Sequence, residues 1–281
     1  MEYNNDAKNR NVQPPISDKL ISNPSKFQQL FNKVPQITVF FWIIKIMATT
    51  VGETAADFLS FNLKWGLTNT TYLMSVLLVI SLIIQFKAKK YVPWKYWLVV
   101  VLISIVGTLV TDNLVDHFGV ALQTTTIFFT IALLVTFIAW YRSEKTLSIH
   151  SIYTKKREAF YWMAILFTFA LGTAAGDLIA EGLHLGYLVS GFIFVGLIAV
   201  VIIGYYMFKL NAVWAFWIAY ILTRPLGASF GDLLSQPHKH GGLGLGTTGT
   251  SIIFLVIILS LVVYLTRTKR DEIPTETITE E

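Results

Sequence analysis

The chain has 281 residues, of which 54% are hydrophobic and only 14% charged, with a mean hydropathy of +0.59; this balance excludes an ordinary soluble domain. The net charge of +5 does not imply nucleic acid, because the basic residues follow membrane topology instead. The absence of cysteine excludes disulfides, thiolate metal sites and cysteine nucleophiles together.

Residues 1–34 are polar, contain Pro14 and Pro15, and lack an apolar core followed by a small-residue cleavage site. They read as a disordered cytoplasmic tail rather than a signal peptide. From residue 35 to 268 apolar stretches fall at 36–60, 69–86, 96–116, 123–141, 159–181, 186–208, 212–234 and 248–266. A hydrocarbon core needs roughly 20 apolar residues per helix, so these predict eight spans with short loops. Residues 269–281 form a second cytoplasmic tail. Of the 22 Lys and Arg, 18 lie in the tails and even-to-odd connections, two (Lys64, Lys239) in the opposite loops and two (Lys45, Arg224) within spans. That asymmetry places both termini in the cytoplasm.

The odd-numbered spans align without gaps on Trp42, Gly52, Asp57; Trp97, Gly107, Asp112; Trp162, Gly172, Asp177; and Trp217, Gly227, Asp232. Independent placement of these residue types predicts only about 0.01 such triplets, so four mark internal duplication. The copies cover approximately 35–90, 91–145, 155–210 and 211–268. Each holds two spans, so all four share one orientation, and the repeat is parallel rather than inverted. The expected fold is an all-α integral membrane protein of eight transmembrane helices built from four parallel two-helix repeats.

Each tryptophan lies near the start of its span, where an indole suits the cytoplasmic interface. Fifteen residues later, about 22 Å along a helix, each aspartate falls in the outer third of the membrane. Four residues after each glycine comes another small or modest residue: Ala56, Thr111, Gly176 and Gly231. Gly52, Gly107, Gly172, Gly176, Gly227 and Gly231 therefore predict close packing of the first helices. Acids recur one turn apart in Glu53/Asp57, Asp112/Asp116 and Asp177/Glu181, while the fourth copy offers Asp232 with Gln236. His117, His184, His238 and His240 follow in the outer loops.

These residues resemble a bacterial membrane-protein family with four tandem two-helix repeats of unknown function, often called uncharacterized membrane-anchored proteins. The resemblance is carried by Lys33 to Asp57, Thr146 to Ile152 (TLSIHSI), Arg157 to Asp177, Phe216 to Gln236 and Gly241 to Thr247 (GGLGLGT). It implies a fold and a topology; it brings no activity and no cofactor.

A carboxylate at the centre of a membrane helix costs about 2.5–3.5 kcal/mol on insertion scales, and less toward the interface. Four repeated aspartates therefore suggest a role: with Glu53, Asp116 and Glu181 they are expected to line an outward-facing polar cavity that binds a cation or relays protons. The bland alternative is helix capping near the surface. Lys45 and Arg224 should each snorkel or meet an acid, and Pro225 should break the seventh helix's hydrogen-bond ladder. The histidines lie in different loops without a helical His-Glu-x-x-His pattern, so a zinc hydrolase is disfavoured.

The functional expectation is a transporter or channel-like protein for a small cation in the bacterial cytoplasmic membrane, with a divalent metal ion or proton as substrate and the lipid bilayer as its surroundings. A non-transporting scaffold or lipid-binding protein is the second class and a metal-dependent intramembrane hydrolase the third. Cofactor, resident metal and oligomeric state are not readable from the residues.

Overall fold

A computed structural model describes residues 31–272, and eight long helices carry most of them. They are α1 (Val39–Asp57), α2 (Leu67–Phe86), α3 (Pro93–Asp112), α4 (Leu122–Glu144), α5 (Lys155–Asp177), α6 (Gly186–Met207), α7 (Ala212–Ser235) and α8 (Thr247–Thr268). No strand occurs among the described residues. Seven of the eight are long and apolar enough to cross a membrane, which fits a multi-pass membrane protein. The exception is α7, whose 24 residues span about 36 Å. Its length suffices, but Arg224, Pro225 and Asp232 make it less apolar than its neighbours, and all three are buried.

The odd-numbered helices form an inner ring in which α1 packs on α3, α3 on α5, α5 on α7 and α7 back on α1. Each even-numbered helix leans on the inner helix of the next copy: α2 on α3, α4 on α5, α6 on α7, and α8 on α1, which closes the cycle. Outer helices expose long apolar side chains such as Tyr72, Val76, Ile127, Ile131, Val200 and Leu259. Such faces suit hydrocarbon surroundings, in keeping with a multi-pass membrane protein.

Glycine sets the inner spacing. A Cβ on Gly52 would overlap Ser104, one on Gly107 would overlap Phe169, one on Gly172 would overlap Arg224, and one on Gly227 would overlap Thr49. Thr49, Ser104, Phe169 and Arg224 occupy one register of the repeat, three residues before its glycine. The same contact therefore recurs around the ring, each inner helix pressing its glycine onto the next. Gly176 and Gly231 approach Pro225 and Glu53 at ordinary or slightly tight distances.

Three of the four repeat tryptophans face inward, and Trp42 is half-buried. Trp97, Trp162 and Trp217 are buried in the bundle, and the Trp217 indole donates to Leu147 O at 3.0 Å. Their copies turn the tryptophan inward because the preceding residues, Phe41, Tyr96, Tyr161 and Phe216, fill the axis as a buried aromatic layer.

Loops rich in lysine and arginine gather at one end of the bundle, called here the basic end. The expected N-terminal tail lies outside the described residues up to position 30, but Asn32, Lys33 and Val34 are buried in the basic end. Lys33 N–H donates to Ile152 O at 2.9 Å, Tyr91 N–H to Asn32 O at 3.0 Å and Gln36 N–H to Asp271 O at 3.0 Å. Lys33 Nζ pairs with Glu158 at 2.6 Å, and Gln85 donates to the other Glu158 oxygen at 3.2 Å. Backbone and buried charge thus tie both ends of the described chain to the loops between copies. The second tail is described as far as residue 272.

Candidate functional site at the acidic end

Three of the four inner helices change geometry at the repeat aspartate. Directly after Asp57, Asp112 and Asp177 the chain makes one π-helical turn, at Phe58–Asn62, Asn113–His117 and Leu178–Gly182. Single π turns inside α-helices are rare and frequent at functional sites. The fourth copy departs because Pro237 biases Gln236 toward extended backbone, with ψ 149°, and α7 stops there.

The carboxylates descend in steps from this end. Asp116 and Glu181 are exposed, Asp57, Asp112 and Asp177 are half-buried, and Asp232 and Glu53 are each only 7% exposed. Glu53 lies within electrostatic reach of all four repeat aspartates. Asp232 interacts likewise with Asp57 and Asp177, and Asp112 with Asp177. The four copies therefore bring their acids to one place. Gln236 of the fourth copy reaches Asp57 of the first at 3.4 Å, and Tyr187 donates to Glu181 at 3.0 Å. Among the described residues neither a backbone N–H nor a side chain donates a hydrogen bond to the carboxylates of Asp112, Asp177 or Asp232, so helix capping does not account for them.

Arg224 forms the floor. It is fully buried, and its Nη2 donates to Glu53 Oε2 at 3.1 Å, to Thr173 Oγ1 at 2.7 Å and to Thr108 Oγ1. Its Nε and Nη1 have no hydrogen-bond partner among the described residues, and its guanidinium lies 5.7 Å from the Phe169 ring centre. The expected pairing of Arg224 with an acid is thus met by Glu53. Thr108 and Thr173 were not singled out from sequence, yet they occupy the register of Glu53, one residue after the repeat glycine. That register, Glu53, Thr108, Thr173 and Ala228, was the available signal.

Lys45 behaves differently from the expectation. It neither snorkels nor meets an acid: fully buried, it donates to Tyr220 O at 2.8 Å and Thr223 Oγ1 at 2.5 Å, with its ammonium 4.4 Å from the Tyr220 ring centre. A carbonyl, a hydroxyl and an aromatic face together replace the carboxylate. Pro225 leaves α7 unbroken from Ala212 to Ser235. Around it, Lys45, Thr49 and Thr50 of α1 donate to α7 carbonyls at Tyr220, Thr223 and Gly227. Three carbonyls flanking the proline thus accept hydrogen bonds from α1.

Histidine takes little part. His117, His184 and His238 are exposed, and His238 Nδ1 lies 3.0 Å from Gly242 O; the side chain of His240 is outside the described residues. No three His, Asp or Glu side chains among the described residues are placed to hold a metal ion. The acidic ensemble is therefore a graded set of oxygens and not a preformed coordination cage.

Four segments of the chain, 40–91, 95–146, 160–211 and 215–271, match the family model described as Repeat of Unknown Function (DUF347). No curated protein and no solved structure matches the chain.

Proposed function

We propose, for a chain that belongs to the family defined by this four-copy repeat, that the acidic end is the mouth of a small-cation transporter or channel-like protein. The observation that carries this reading is the convergence of one aspartate from every copy around a single buried glutamate. Packing alone would be served by hydrocarbon at these positions, and each ionised carboxylate in a low-dielectric layer is costly unless a positive charge compensates it. Arg224 supplies one such charge to Glu53. A bound cation supplies the remainder.

In this reading a cation meets Asp116 and Glu181 first, is taken by Asp57, Asp112 and Asp177, and reaches Asp232 and Glu53. Beneath them Arg224, Lys45 and the layer of Phe41, Tyr96, Tyr161 and Phe216 oppose further passage of a positive charge. In this reading the entrance lies at the acidic end, and the buried charges and aromatic layer close the path toward the basic end. The graded oxygens suit a proton or a hydrated ion handed between carboxylates better than a divalent metal stripped of its water. By the positive-inside rule the lysine- and arginine-rich loops favour the cytoplasmic side of a bacterial inner membrane for that end, and with it for both termini.

The test is uptake and efflux in proteoliposomes across protons and a panel of monovalent and divalent cations. Asp57→Asn, Asp177→Asn and Glu53→Gln are compared with the unmodified chain and with the rim variant Asp116→Asn. The expected result is a selective flux lost in the first three and partly retained in the rim variant. Equal fluxes in all five proteins remove these side chains from any transport mechanism.

A further inference from the structure

The basic end carries two grooves, and neither belongs to the acidic site. One, of about 870 Å³, is lined by Ile83, Phe86, Lys87 and Lys89 at the end of α2 and by Tyr153 and Lys155 at the start of α5. The other, of about 550 Å³, is lined by Ile138, Tyr141, Arg142 and Lys145 at the end of α4 and by Val213 and Trp214 at the start of α7. A shift of 55 residues carries Ile83, Phe86 and Lys87 onto Ile138, Tyr141 and Arg142. Both grooves therefore occur at the same junction of the repeat, where the second helix of one copy meets the first helix two copies later.

Each junction joins the same two chemistries. Isoleucine and aromatic side chains form the wall toward the middle of the bundle, and the basic residues stand at the helix ends. No acidic residue lines either groove. Lys33 also lines the larger one but is engaged with Glu158, whereas Lys87, Lys89, Lys155, Arg142 and Lys145 are exposed and in no ion pair among the described residues. Water alone would not favour the apolar walls, and a zwitterionic headgroup would leave the basic rims uncompensated. An apolar chain continuous with an anionic head satisfies both.

We propose that these grooves are two repeat-related sites for an anionic phospholipid, its phosphate held by Lys87, Lys89 and Lys155 in one and by Arg142 and Lys145 in the other. The acyl chains lie along the faces of α2 and α4. This inference requires only that the chain is embedded in a bilayer and stands whether or not the acidic end moves a cation. Because α5 and α7 belong to the inner ring, a lipid in either groove bridges an outer helix to an inner one and steadies their relative position.

The experiment is native mass spectrometry of the full chain in detergent, titrated with phosphatidylglycerol or with phosphatidylcholine of the same acyl chains, with inorganic phosphate as a separate arm. Two phosphatidylglycerol molecules are expected to be retained where phosphatidylcholine is not. Lys87→Gln/Lys89→Gln/Lys155→Gln should leave one, bound sites weakening at least about tenfold, and adding Arg142→Gln/Lys145→Gln should leave none. The control, Arg267→Gln/Lys269→Gln, removes basic charge at the same end outside both grooves and should keep two. Equal retention of the two lipids, equal loss in the control, or competition by inorganic phosphate alone would each overturn the proposal. A single lipid lost only with Arg142→Gln/Lys145→Gln would show the larger groove filled by something else, such as the chain preceding Phe31, and would overturn the repeat relation.

Discussion

Arg224 and Glu53 show how one buried pair organises the acidic end. A guanidinium with no exposed surface is tolerable only while its neighbours compensate the charge, and Glu53, Thr108 and Thr173 do so from three different inner helices. Removing one partner strands the other. Arg224→Met should lower unfolding stability in detergent by about 3–5 kcal/mol, and the double variant Arg224→Met/Glu53→Gln should recover more than half of that loss. Additive losses in the double-mutant cycle would show that the pair does not couple. At this scale the acids were legible because a carboxylate recurring at a fixed register in apolar sequence is conspicuous. Thr108 and Thr173 were less so, since threonine is unremarkable in a membrane helix and its partner lay 116 and 51 residues away. Lys45 departs from the expectation for a related reason: sequence offers acids as partners for a buried lysine, but not backbone carbonyls and a ring face.

At the scale of the element, the four glycines act through the gap they leave. Gly227→Ala must displace Thr49, and its expected cost is about 1–3 kcal/mol from overpacking. Gly196, on the outer helix α6, has nothing within 4 Å of an added Cβ. Gly196→Ala should change stability by less than about 0.5 kcal/mol. Thermal unfolding of the two variants side by side checks the contrast, and similar shifts would contradict the ring contact. Periodicity and triplet spacing made the eight helices readable within a few residues, since long apolar runs bounded by charge have few other solutions. The π turns were not readable, because inserting one residue into a helical turn changes no residue type and leaves the apolar pattern intact. Nor did the tryptophans reveal their burial: position near a span's start suits an interface equally well, and only the facing aromatics of other copies decide against it.

Across the whole molecule, the basic end is closed by segments distant in sequence. Tyr91 donates to Asp271 Oδ2 at 2.5 Å, and burial raises the Asp271 carboxyl above its ordinary range, an effect that the tyrosine hydrogen bond partly opposes. A carboxyl with a raised folded pKa binds more protons in the folded state, so its contribution is present below the ordinary carboxylate pKa and is lost as pH rises through the elevated one. Protection of the Gln36 amide, which donates to Asp271 O, should fall with rising pH after correction for intrinsic exchange, and Asp271→Asn should flatten that dependence. Protection that rises with pH in the unmodified chain would refute it. The tails held no sign of this closure, because polarity at a chain end reads as solvation unless a buried receptor for it is known.

Transport rests on the carboxylates of all four copies forming one water-filled entrance at the acidic end. The chain has no cysteine, so single cysteines can be placed without other changes. With sealed vesicles of known orientation, Asp57→Cys, Asp112→Cys and Asp177→Cys should each react with a membrane-impermeant thiol reagent applied at the acidic face, while Val100→Cys, buried between the acids and the basic end, should not. Reaction at all three aspartate positions from the acidic face is the predicted result. Absence of reaction at the three positions, or reaction only from the basic face, would contradict a common entrance.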